Sequence, residues 1–158
     1  MKILVTGGSG FIGSCLIRHL IKHSNHTILN VDKLTYAANN SFSSDITENE
    51  RYSFSQTDIC SEEIFDLFIE FSPEIIINLA AESHVDNSIN SPHSFIQTNI
   101  VGTYNLLNNC LKFIKEKKSI DINKFKFIHI STDEVYGDLQ DLKIDSFNED
   151  TAYNPSSP

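Results

Sequence analysis

The chain has 158 residues, the size of one domain with room for a substantial core, and its 40% hydrophobic and 21% charged residues are ordinary for a globular protein. A net charge of −9 argues against nucleic acid and anionic membrane surfaces as partners, but leaves a nucleotide open, because a helix N-terminus binds phosphate in an acidic protein too. The cysteines Cys15, Cys60 and Cys110 are scattered and form no CxxC pair, which suits a reducing cytoplasm, and the apolar opening is cut by TGGSG too early for a secretory core or a membrane span.

In chain order, residues 3–5 are a first buried strand, followed by a glycine turn and a helix over 11–23 with Ile12, Leu16 and Leu20 at helical spacing. A second strand covers 28–31 and ends on Asp32. The polar stretch 32–51 has no clear period, and loops of that length are usually functional. A weaker strand at 52–54 precedes a helix over 61–71, for which Ser61 is a suitable N-cap. A strand at 75–79 leads to a long helix over 94–117, and a final strand at 125–130 runs into Thr132, Asp133 and Glu134. The strands read as continuous apolar runs, as strands covered on both faces do. Their alternation with helices predicts an α/β, doubly wound parallel sheet.

Gly7, Gly10 and Gly13 form GxxGxxG between the first strand and the first helix, with Gly8 giving further room at the turn. Glycines there allow a tight turn and a close approach to pyrophosphate, which the helix N-terminus holds. Asp32 stands 19 residues after Gly13, near the ~20 expected of an acid that binds adenosine ribose and disfavours a 2′-phosphate. The plainer reading is a glycine turn beside a surface acid. A Walker P-loop is excluded, since no Gly-Lys-Ser/Thr closes the loop. At the last strand's carboxyl end, Asp133 and Glu134 are a neighbouring acid–carboxylate pair of the kind an elimination needs; the plainer reading is an exposed acidic turn.

TGGSGFIG, VDKLTYA, TDIC, LAAESHVD, QTNIVGT and STDEVYG, in that order, resemble the extended, sugar-nucleotide-modifying branch of the short-chain dehydrogenase/reductase superfamily, and within it the dTDP-glucose 4,6-dehydratases. Epimerases of the branch usually lack the Asp-Glu pair, and GDP-mannose dehydratases usually have Ser in place of the Asp. UDP-glucose 4,6-dehydratases share the Thr-Asp-Glu triplet, so dTDP and UDP sugars both stay open. The resemblance implies a Rossmann-type fold, NAD as cofactor, a nucleotide sugar such as dTDP-glucose as substrate and a homodimer in the full-length family. It places Gly7, Gly10, Phe11, Ile12 and Gly13 at the pyrophosphate and Asp32, Lys33, Leu34 and Thr35 at the adenosine ribose. Asp58 and Ile59 fall at the adenine edge, and Leu79, Ala80, Ala81 and Ser83 along the nicotinamide side. Asn99 would anchor the cofactor, while His84 and Thr132 would touch the sugar nucleotide. For Ile12, Ile59 and Leu79 core packing is the companion reading.

The implied reaction is a redox-neutral dehydration. Carbon 4 of the glucose is oxidised to a ketone, Glu134 removes the acidified carbon 5 proton, and Asp133 protonates the departing carbon 6 hydroxyl. Carbon 6 is then reduced, giving a 4-keto-6-deoxy sugar. Asp133 is expected to be buried enough to hold its proton, and Thr132 to hydrogen-bond the carbon 4 oxygen.

The YxxxK tyrosine–lysine pair of this superfamily is absent: Tyr36, Tyr52, Tyr104, Tyr136 and Tyr153 have no lysine four residues on. The chain is therefore expected to be the N-terminal part of a dehydratase, lacking the last strands and the substrate domain and inactive alone. A non-catalytic NAD-binding module, or a fragment of a UDP-sugar dehydratase or epimerase, is the alternative. Elsewhere, His19 and His23 read as one polar helix face, His129 as core, KFIKEKK at 112–118 as a solvated basic helix end, and Cys15 and Cys60 as small packing residues.

Overall fold

The apolar opening becomes the central strand of the molecule, β1 (Lys2–Thr6). It pairs in parallel with β2 (Thr27–Val31) on one side and β4 (Ile75–Asn78) on the other. The outer strands β3 (Tyr52–Ser55) and β5 (Lys126–His129) pair in parallel with β2 and β4, giving the order β3-β2-β1-β4-β5. The computed structural model describes residues 1–38, 42, 44–117, 121–139 and 146–156. This is the expected doubly wound, Rossmann-type parallel sheet. Residues 39–41 and 43 of the polar stretch, and Lys118 at the end of the basic run, lie outside the described residues.

Side chains alternate across a strand, so β1 feeds two cores. Ile3 and Val5 pack with Ile28 and with Ile17 and Ile21 of α1 (Phe11–His23). Leu4 faces the other way, against Leu29, Ile76, Ile64 and Phe68 of α3 (Glu63–Phe71) and Leu106 and Phe113 of α6 (Thr103–Glu116). Phe68 and Phe113 meet edge to face with ring centroids 5.9 Å apart. Helices on both faces of one parallel sheet place every strand's carboxyl end on the same rim, where α/β proteins bind ligands.

Helix ends are tied down by specific groups. Arg51 donates through its guanidinium to the carbonyls of Ile21, Ser24 and His26, closing the C-terminal end of α1. Ser61 accepts from the Glu63 amide at 3.2 Å in the turn ahead of α3, but the helix starts later than expected and its N-cap is Glu62, which makes no side-chain cap. The basic end of α6 is not merely solvated. Lys112 lies 3.6 Å from the Phe65 ring centroid, and Lys117 donates to the Ser72 hydroxyl and the Ile69 carbonyl at the end of α3.

Three expectations change. The long helix is three pieces: α5 (Pro92–Phe95), a π-helical segment (Ile96–Gly102) and α6. A short α4 (Val85–Asn90) was not foreseen, and α2 (Ser44–Thr47) interrupts the polar stretch. Along β5 the face carrying Ile128 and Ile130 is open, so they are 40% and 44% exposed, and His129 on the other face, at the carboxyl end of the strand, is exposed to the cleft rather than core. Cys15 is exposed too, on the outer side of α1. Among the described residues no helix is long and apolar enough to cross a membrane, and no cluster of three or more ligands could hold a metal ion.

Candidate functional site

The carboxyl ends of the strands open into a cleft of about 700 Å³. Its floor is the glycine turn. Gly7 takes φ +68°, and a Cβ there would lie 2.6 Å from the Ala80 amide nitrogen, so only glycine fits between β1 and the chain leaving β4. A Cβ on Gly13 would run into the Gly7 carbonyl, which fixes the close packing of α1 on the turn. At Gly10 a Cβ would meet only the Gly7 oxygen, at 3.3 Å, and its other side is open to the cleft. Gly8 provides no spare room, contrary to expectation: it is buried and packs against the Asn30 amide.

No side chain caps the start of α1, so its first amides remain available to a ligand. Phe11 and Ile12 in that first turn are 90% and 62% exposed and line the cleft, which removes the core reading for Ile12. Ile59 does both jobs, buried to 3% exposure in the core and also at the cleft wall.

Asp32 ties the turn to the end of β2. Its Oδ2 accepts from the Ser9 amide at 2.9 Å and its Oδ1 from the Leu34 amide at 2.8 Å, and the carboxylate keeps further lone pairs on the cleft side. Leu34 is held at φ +58° by this arrangement and turns away from the cleft. Thr35, Ala37 and Ala38 continue the wall beyond it.

Lys33 is the hub of the opposite wall. Its Nζ donates to Thr98 Oγ1 at 2.9 Å and lies 3.8 Å from Asp58 Oδ2 and 3.7 Å from Glu82 Oε1. Glu82 is held in turn by Asn99, whose side-chain amide donates to the Glu82 carbonyl at 2.9 Å and accepts from the Glu82 amide at 2.8 Å. Asn99 thus shapes the loop after β4 as well as lining the cleft. The π-helical winding brings Thr98 and Asn99 to the cleft together, and Gly102, where a Cβ would sit 2.5 Å from Ile59 Cδ1, lets this segment close on the loop after β3. Glu82, Thr98, Thr57, Ser88 and Phe95 also line the cleft; none was expected there, although Thr57, Glu82 and Thr98 lie inside TDIC, LAAESHVD and QTNIVGT.

At the far end, β4 and β5 contribute Leu79, Ala80, Ala81 and Ser83, and then Thr132 and Glu134. Thr132 caps a 3₁₀ turn (Asp133–Tyr136), its Oγ1 accepting from the Glu134 amide at 3.3 Å and donating to Asp133 Oδ1 at 3.4 Å. The tail returns to this turn: Tyr136 stacks on Phe147 and Tyr153 with centroids 5.2 and 5.6 Å away, and the Asn154 amide donates to the Val135 carbonyl. His129 joins the wall through a relay in which Thr6 Oγ1 donates to Asn78 Oδ1 at 2.5 Å and the Asn78 amide meets His129 Nδ1 at 3.0 Å.

Four expected site residues do not line the cleft. Leu34 faces a smaller cavity beside β3. Asp58 has its carboxylate drawn to the Cys60 amide and to Lys33. His84 is exposed at the start of α4. Asp133 is exposed because the 3₁₀ turn winds it out of the wall that Glu134 joins, so the burial expected to keep it protonated is not provided by its neighbours here. Cys60 and Cys110 are poor nucleophiles: burial first, then the charge of Asp58, pushes Cys60 up, and burial pushes Cys110 up to about 12.

Comparison with known proteins agrees with this geometry. The chain is 52% identical to a dTDP-glucose 4,6-dehydratase of Salmonella typhimurium and 51% identical to one of Neisseria meningitidis. These alignments cover 100% and 99% of the chain but 46% and 44% of the relatives, so the chain spans just under half the length of the curated relatives it matches. Among solved structures, the Streptomyces venezuelae dTDP-glucose 4,6-dehydratase DesIV, with NAD bound, superposes with a TM-score of 0.81 at 33% identity over 99% of this chain and 46% of that one. The Bacillus anthracis dTDP-glucose 4,6-dehydratase in complex with NAD gives 0.77 at 35% identity over 100% and 45%. A profile of the family described as GDP-mannose 4,6 dehydratase matches residues 4–158, virtually the whole chain, and with the glycine turn, Asp32 and the Thr132–Glu134 turn arranged on one rim, the chain belongs to that family.

Proposed function

We propose that this chain is the NAD-binding part of a dTDP-glucose 4,6-dehydratase and carries its elimination residues. The observation that supports this most is that the glycine turn with Asp32 and the Thr132–Glu134 turn border one continuous cleft. The residues fit NAD. Gly10 leaves an open cradle against the uncapped first turn of α1, where amides and helix dipole suit a pyrophosphate, and Asp32 keeps lone pairs for ribose hydroxyls. Ile59 offers an apolar wall to the adenine, beside Asp58.

NAD, when bound, supplies a hydride acceptor that returns to its starting state over the cycle. The chain's own groups handle protons. Thr132 hydrogen-bonds the carbon 4 oxygen, and the resulting ketone acidifies carbon 5. Glu134, in the cleft wall, removes the carbon 5 proton. Asp133, one residue outside that wall, gives a proton to the carbon 6 hydroxyl as it leaves as water. His84 contacts the nucleotide sugar near the rim. The proton acceptor for the carbon 4 hydroxyl is not among these residues, so turnover requires the tyrosine–lysine pair that the superfamily carries elsewhere. We place the protein in the cytoplasm, which its three free thiols favour.

The direct test of the cofactor reading is a calorimetric titration of NAD+. The native chain binds it, and Gly13→Val, which drives a side chain into the Gly7 carbonyl, abolishes binding while urea unfolding stays cooperative. Unchanged binding by that variant would remove the glycine turn from the site.

A further inference from the structure

Lys33 follows the ribose acid Asp32 directly, and a lysine in that place is a natural counter-charge for a 2′-phosphate. Here its ammonium donates to Thr98 Oγ1 at 2.9 Å and is ion-paired with Glu82 Oε1 at 3.7 Å and Asp58 Oδ2 at 3.8 Å. The anchors differ in burial. Thr98 is 4% exposed, the Glu82 side chain 13% and that of Asp58 42%, so Glu82 and Thr98 hold the ammonium from the protein side. Glu82 is itself fixed by the paired hydrogen bonds from Asn99 and approached by the Tyr36 hydroxyl at 3.4 Å. One cation and the carboxylates of Asp32, Asp58 and Glu82 leave this end of the cleft net negative.

We propose that Glu82 is a specificity-determining residue. By holding Lys33 away from the ribose, together with Asp58 and Thr98, it makes the cleft reject a 2′-phosphorylated dinucleotide. Asp32 repels the 2′-phosphate directly; Glu82 withholds the cation that would otherwise compensate it. The proposal rests on the NAD reading above. It joins residues 33, 58, 82 and 98, from four different segments, and it predicts that the preference is a property of the pair Lys33–Glu82 rather than of Asp32 alone.

The test is calorimetric titration of NAD+ and NADP+ at low salt into the native chain, Glu82→Gln, Lys33→Met and the double variant. Freeing the ammonium is expected to lower the ratio of NADP+ to NAD+ dissociation constants by roughly tenfold, the worth of one charge-assisted hydrogen bond. With Lys33 already replaced, the same Glu82→Gln change is expected to move that ratio several-fold less. Asp58→Asn is the second variant and shifts the ratio in the same direction. An equal effect of Glu82→Gln with and without Lys33 would reduce Glu82 to a bulk charge and overturn the proposal, as would no effect at all. Binding of neither nucleotide by the native chain would overturn the cofactor reading itself, a result distinct from two nucleotides bound in an unaltered ratio.

Discussion

Asp32 accepts two backbone amides, from Ser9 and Leu34, and still faces the cleft, so it both builds the turn and serves the ligand. That residue and Gly7, Gly10 and Gly13 were legible in the sequence, because the constraint on each is local: a positive φ, a close backbone approach, a fixed distance to the end of the next strand. Glu82 and Thr98 were not, because their hold on Lys33 joins segments that lie far apart in the chain. His129 was misread because its apolar neighbours suggested a strand covered on both faces, while β5 is the sheet's outer strand. Cys110 permits a prediction at this scale. Burial raises its thiol from the ordinary 9.0 to about 12, so the folded state keeps a proton that the unfolded chain loses. Its contribution is fully present below pH 9 and is lost as the pH rises toward 12, at ~1.4 kcal/mol per unit. Urea unfolding at a series of pH values should show Cys110→Ala about 1 kcal/mol less stable at neutrality, with a shallower alkaline decline than the native chain. Parallel declines would contradict the burial of a protonated thiol.

Helix limits came through at α1, whose range was foreseen in full, and nearly so at α3, where the N-cap is Glu62 rather than Ser61. The π-helical segment did not, since seven residues with wider winding (Ile96–Gly102) leave the apolar spacing of a long helix almost unchanged. Its consequence is functional, because the winding faces Thr98 and Asn99 into the cleft together. Deleting Val101 should restore regular α-helix, misplace the Asn99–Glu82 pair of hydrogen bonds and weaken nucleotide binding by at least about tenfold; retention of full affinity would show the segment to be incidental. Arg51 is an element-scale device of another kind. Its hydrogen bonds to the carbonyls of Ile21, Ser24 and His26 stitch the end of α1 to the entry of β3. Arg51→Met should lower stability by about 1–3 kcal/mol in urea without altering nucleotide affinity, and a change below the error of the unfolding curve would assign the cap to water.

On the scale of the whole molecule, the parallel sheet with helices on both faces was legible in the apolar runs of the sequence, while the strand order β3-β2-β1-β4-β5 was not. The outer surface is less complete. Ile96 and Ile100 of the π-helical segment and Tyr104, Leu107 and Leu111 of α6 are exposed at helical spacing, a longer apolar stripe than single surface hydrophobics make. We propose that this face pairs with a second copy. Sedimentation should show association that rises with concentration and is abolished by the double change Leu107→Glu and Leu111→Glu, and a native chain that stays monomeric at high concentration would refute the pairing.

The proposed function joins two claims, that the cleft takes NAD and that the 133–134 pair performs an elimination. The decisive measurement is turnover of dTDP-glucose by this chain fused to the part of the Salmonella typhimurium relative that it does not span, followed by mass spectrometry of the sugar nucleotide. The expected result is loss of one water to give the 4-keto-6-deoxy product. Glu134→Gln should lower turnover by at least about 10²-fold, the usual worth of a general base, with NAD+ affinity retained. Equal turnover with and without the Glu134 carboxylate would overturn the elimination role of the 133–134 pair.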